Sequence, residues 1–181
     1  MKYVLNIRNI KEINERQETE IVGGFFDALN GKLIIPIIME NEEVTKIPPY
    51  YECGLSMKTK NVFCIIISKS FYNRFFKQRP DYFKCSVLHE LGHFVNQDLI
   101  NGYGKKEAEE RRYNDIINGV PTKEEINADL YALKYVDKTM YLNSLAYLKK
   151  YLKGIPATSI EEKELALKEV QIRFDFLSAN K

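Results

Sequence analysis

The chain has 181 residues, of which 45% are hydrophobic and 29% charged, with a formal net charge of +2 at pH 7. This predicts one globular domain over residues 1–181 with a proper core. The small net charge argues against direct nucleic-acid binding or attachment to an anionic membrane. The densest basic group, Lys105, Lys106, Arg111 and Arg112, is interleaved with Glu107, Glu109 and Glu110 and reads as a solvated helix face. No apolar run is long enough to span a bilayer, and the first residues have no apolar leader. Cys53, Cys64 and Cys85 are widely spaced and form no C-x-x-C pair, which suits a reducing compartment. The expected location is the cytoplasm.

In chain order, Ile10 to Phe26 reads as a weak helix interrupted by Gly23-Gly24. Asn30-Gly31 signals a turn, and Lys32 to Met39 a strand whose Pro36 implies an edge or a break. Val44 to Pro49 reads as a loop or a second edge, and Tyr51 to Met57 as a short strand. Val62 to Ile67 is short, continuous and β-branched, the pattern of a central strand buried on both faces. Ser68 can cap a helix with a core stripe of Phe71, Tyr72, Phe75 and Phe76. After Pro80, Asp81 can cap a second helix, which carries Phe83, Val87, Leu88, Leu91, Phe94 and Val95 and should be buried. Gly92 in that helix implies room for another element to approach closely. Asn101 to Gly104 is a loop, and Lys105 to Ile117 a charged helix. Thr122 can cap a helix from Lys123 to Val136, Asp137 or Lys138 starts another that stops at Gly154, and Ser159 caps a last one from Ile160 to Leu177. Strands early and helices later make the class α+β.

Both histidines lie in His89-Glu90-Leu91-Gly92-His93, an H-E-x-x-H motif. On a helix, residues four apart are rotated by about 40° and separated by about 6 Å, so both imidazoles leave one face and can close on one metal ion. Two histidines and a glutamate fall into this pattern by chance in about one sequence in a thousand of this composition. The chemistry is that of a zinc metallopeptidase: neutral imidazoles suit Zn²⁺, the metal acidifies water, and Glu90 can take that water's proton. A catalytic zinc takes a third protein ligand, and no third histidine exists, so a carboxylate must serve. Glu125 is the strongest candidate, with Asp129 one turn on to orient a histidine ring. Thr122-x-x-Glu125 is also a capping box, so Glu125 has a purely structural alternative. Glu124 and Asp129 are fallback ligands, and Asp98, five residues past His93, is a weaker one. Tyr103, Tyr113 and Tyr131 are the candidate donors for a developing oxyanion.

The H-E-L-G-H motif, the strand and short helix before it, and Glu125 to Ala132 as E-x-x-A-x-x-Y-A resemble the ImmA/IrrE family of gluzincin-like metallopeptidases. The resemblance covers about residues 60–136, leaving C-terminal helices over about 137–178. It implies a small zincin-like α+β domain with a short sheet against the active-site helices, His89, His93 and Glu125 as zinc ligands, and Glu90 as general base. It further implies a protein substrate, a helix-turn-helix repressor of a phage or other mobile element. The alternative is a zinc-containing protein-binding regulator with little or no hydrolytic activity.

Overall fold

The computed structural model describes residues 2–7, 19–40, 53–59, 62–156 and 159–180. The chain divides into two compact units, Met1–Phe83 and Lys84–Lys181. The first holds five strands, β1 (Tyr3–Ile7), β2 (Thr19–Asp27), β3 (Leu33–Glu40), β4 (Cys53–Thr59) and β5 (Val62–Ser68), and the helix α1 (Lys69–Gln78). Helix α2 (Pro80–Val95) runs into the second, which continues with α3 (Lys106–Ile117), α4 (Lys123–Ala132), α5 (Lys138–Gly154) and α6 (Ile160–Ala179). The α+β class and the helical C-terminal half are as expected. None of the described helices is long and apolar enough to cross a membrane.

The strand order is β1-β2-β3-β5-β4, with β3 and β5 parallel and the other neighbours antiparallel. β5 is central as its composition predicts, and Cys64 to Ile67 are buried. β4 corresponds to the short strand expected from Tyr51 to Met57, whose first two residues lie outside the described ones. The Val44 to Pro49 segment also lies outside them. Pro36 sits in β3, which is not an edge strand; its pairing with β5 begins only at Ile37. Among the described residues the proline therefore falls where one side of the strand has no ladder partner, which suits its missing N–H.

The helix expected over Ile10 to Phe26 is a misreading where it can be checked: residues 19–26 belong to β2. β1 was not foreseen. Gly23 does not interrupt a helix but lies beside a register shift in the β2–β3 pairing, and a Cβ on it would come within 2.3 Å of the Asn6 carbonyl oxygen of β1. Asn30-Gly31 forms the β2–β3 turn, with Gly31 at φ 66°. Ser68 caps α1 by accepting a hydrogen bond from the Phe71 amide at 3.0 Å. Phe71, Tyr72 and Phe75 are buried, and the Phe71 and Phe75 rings meet edge to face at 5.1 Å.

In the second unit, Asp137 and Ser159 cap α5 and α6 through the amides of Met140 and Glu162. Asp81 does not cap α2. The helix starts two residues earlier than that cap implies, with Pro80 in its first position and Asp81 in its first turn, where the carboxylate still suits the helix dipole. α4 ends at Ala132, short of the expected Val136, in a tight turn closed by the Tyr135 amide on the Ala132 carbonyl. Cys53 is half-buried, and Cys64 and Cys85 are buried.

Candidate metal centre

The site lies within the helical unit. His89, His93 and Glu125 are all buried, and each offers one ligand atom within 4.8 Å of the others. The two histidine Nε2 atoms face each other at 3.1 Å, and a Glu125 oxygen lies 3.2 Å from His89 Nε2 and another 3.7 Å from His93 Nε2. A tetrahedral zinc with bonds of about 2.0–2.2 Å places its donors about 3.3–3.5 Å apart. The donor set and its spacing thus fit a divalent ion of the zinc type.

Each imidazole presents Nε2 because its other nitrogen is engaged by a carboxylate. His89 Nδ1 lies 2.8 Å from Asp129 Oδ1, and His93 Nδ1 lies 2.7 Å from Asp98 Oδ2. A carboxylate accepts only, so each Nδ1 donates and each Nε2 lone pair points inward in the neutral ring. Asp129 thus lies against the His89 ring, where an orienting partner would sit. Asp98, considered in the sequence as a weak ligand, is the orienting partner of His93 instead.

Local backbone geometry places Asp98 there. After Val95 the chain turns with Gln97 at φ 60°, and the amides of Gln97 and Asp98 donate to the carbonyls of Phe94 and His93. This is the Schellman pattern, which brings the residue after the left-handed one back over the last turn of the helix. Here that residue is Asp98, and the last turn carries His93. Glycine usually occupies the left-handed position; glutamine in its place hid the turn in the sequence.

Glu125 belongs to the buried group that could hold a metal ion. Thr122 starts α4 without a side-chain capping bond, and its hydroxyl donates to Glu169 at 3.5 Å. Glu124 points elsewhere and pairs with Arg111. Burial alone would raise the Glu125 carboxyl, but Arg173 first, then His89 and His93, hold it well below the usual carboxylate range. Burial and Arg173 oppose a proton on His89, yet Asp129 and Glu125 outweigh them and push its pKa up to about 9. A metal and a proton would thus compete for His89, and metal binding there would weaken as the pH falls.

Of the three tyrosines, only Tyr103 is brought to the ligands. Its ring stacks on His93 at 5.1 Å and its hydroxyl donates to Glu125. Tyr113 is 41% exposed, and the Tyr131 hydroxyl bonds to that of Tyr135 at 3.0 Å. Glu90 lies on α2 between the two histidines and is half-buried.

Three contributors escaped the sequence reading. Tyr141 donates to Asp129 Oδ1 at 2.6 Å, Arg173 bonds both Asp129 and Glu125, and Arg112 is held by both oxygens of Glu169 at 2.8 and 2.6 Å. Arg112 is thus no part of a solvated face. A signal existed for Arg173: it shares a buried stripe with Val170 and Leu177, and a charge on such a stripe needs a partner.

Gly92 proves to be the close-approach position that its place in the helix predicts. A Cβ there would come within 2.6 Å of the Ala128 Cα and 2.7 Å of its carbonyl oxygen, both on the backbone of α4. Neither atom can move aside alone, so Gly92→Ala must push α2 away from α4 and His89 and His93 away from Glu125. The expected loss is about 1–3 kcal/mol of stability, read by urea unfolding. An unchanged midpoint would contradict the contact.

No protein-family model, curated protein or solved structure matches this chain.

Proposed function

We propose that the protein is a soluble cytoplasmic zinc endopeptidase with a zincin-like centre of the ImmA/IrrE type. One observation carries this reading: two histidine Nε2 atoms and a buried carboxylate converge, while each Nδ1 is tied to a second carboxylate. His89, His93 and Glu125 would hold the zinc, which supplies Lewis acidity, polarising a peptide carbonyl and lowering the pKa of water to about 7. Asp129 and Asp98 keep both imidazoles in the ligating tautomer. Glu90 takes the proton of the attacking water and passes it to the leaving amine. The Tyr103 hydroxyl, beside the ligands, is the donor placed to meet the developing oxyanion once it leaves Glu125. The substrate we propose is a helix-turn-helix repressor of a mobile element, a partner suggested by the sequence resemblance alone.

The engagement of Tyr103 with Glu125 also favours the second reading, a zinc-containing binding regulator, because it occupies a donor that catalysis needs. Elemental analysis of untagged wild type and His93→Ala tests the centre common to both. About one zinc per wild-type chain, lost in the variant, is the expected result. Neither protein taking up zinc under reducing conditions would end the metal reading.

A further inference from the structure

Arg173 comes from the last helix, far along the chain from the H-E-x-x-H motif, and is buried. Its Nε donates to Asp129 Oδ2 at 2.8 Å, its Nη2 to Asp129 Oδ1 at 2.5 Å, and its Nη1 to Glu125 Oε2 at 3.0 Å. Nη2 also lies 3.2 Å from His89 Nδ1. One guanidinium therefore grips both the carboxylate expected to bind metal and the carboxylate that orients a metal-binding imidazole. Hydrolysis as described above uses no cation at this place.

The reason for a cation there is electrostatic. Glu125 and Asp129 stand one turn apart on α4, and both are buried. Two carboxylates in a water-poor site repel each other, which would drive them out of the arrangement that a ligand and an acceptor need. A bound metal relieves that repulsion, but only once it has arrived. Arg173 relieves it beforehand, and its planar fork fixes both carboxylates in orientation as a point charge would not. Arg112, the other arginine near Glu125, approaches no closer than 3.8 Å and is committed to Glu169.

Building on the reading of His89, His93 and Glu125 as a metal centre, we propose that Arg173 is its resident counter-cation, a positioning residue that holds Glu125 and Asp129 in the ligating arrangement before metal binds. Folding of the helical unit then does not wait for the metal, and α6 is a working part of the centre. An ordinary structural ion pair would stabilise the metal-free and metal-loaded forms alike. A counter-cation that substitutes for the metal stabilises the metal-free form far more.

Thermal unfolding separates the two, with wild type, Arg173→Met and Arg173→Lys each measured in chelator and in saturating zinc, alongside zinc content. In chelator, Arg173→Met should melt about 10 °C below wild type. In zinc the gap should shrink to less than half of that. Arg173→Lys should recover part of the loss in chelator, since it keeps the charge without the fork. If Arg173→Met does not fold in chelator, zinc added during refolding should restore it; failure of that rescue would overturn the proposal. Equal losses in both conditions, or a larger loss in zinc, would overturn it too. A wild type that binds no zinc would sink the metal-centre reading and this inference together, whereas zinc-binding wild type with equal losses would sink the inference alone.

Discussion

Glu90→Gln is expected to keep the zinc and lose hydrolysis by about 10²–10⁴-fold, the range for removing a general base. The substitution preserves volume and removes the negative charge and with it the ability to take a proton. None of the three converging ligand residues is Glu90, so metal content should stay at the wild-type level. The assay is cleavage of a candidate repressor, or of a quenched peptide library, by zinc-loaded protein. Cleavage by the variant at the wild-type rate would remove Glu90 from the mechanism. Loss of zinc would show instead that Glu90 supports the site's structure. If wild type binds zinc and cleaves nothing, the binding-regulator reading gains.

Zinc affinity should fall more than 100-fold in Glu125→Ala, beyond the 10–100-fold that substitutions of orienting residues cost. Glu124→Ala should leave it within about threefold, because that side chain faces Arg111. The adjacent pair is a demanding test, since the sequence offered both as ligands. Removing Glu125 also strips Arg173 and Tyr103 of an acceptor, so part of any loss could come from unfolding. Glu125→Gln controls for this by keeping an oxygen for those bonds while weakening the ligand. Competition against a chromogenic chelator on folded protein measures all three. A stronger effect at Glu124 than at Glu125 would move the ligand and with it the assignment of α4's face.

Much of this centre was legible before any coordinates. The i, i+4 histidines needed only helical periodicity to share a face, and the shortage of a third histidine pointed to a carboxylate. Asp129 one turn beyond Glu125 made its place beside a histidine ring readable, and Gly92 announced the close contact with α4. The central strand β5, the cap of α1 and the caps of α5 and α6 were equally local matters, governed by side chains within a few residues. Where local signals failed, a distant partner made the difference. β2 was misread as helix because its two glycines serve neighbouring strands, and a single strand's sequence carries no record of what pairs beside it.

The sequence by itself determined the helical spacing of the two histidines and the α+β layout, because these depend on periodicity and on chemistry carried by adjacent residues. Only the tertiary structure brought Glu125 rather than Glu124 beside the two histidines, left Thr122 without a capping bond to α4, and set Tyr103 rather than Tyr113 against His93. It alone placed Asp98 behind His93, through a left-handed Gln97 that glycine would have advertised. It alone brought Arg173 and Tyr141 to Asp129, across 44 and 12 residues of chain. The physical reason is common to these cases: a buried charge is satisfied by whatever partner packing brings within about 3 Å, and separation along the chain does not enter that requirement.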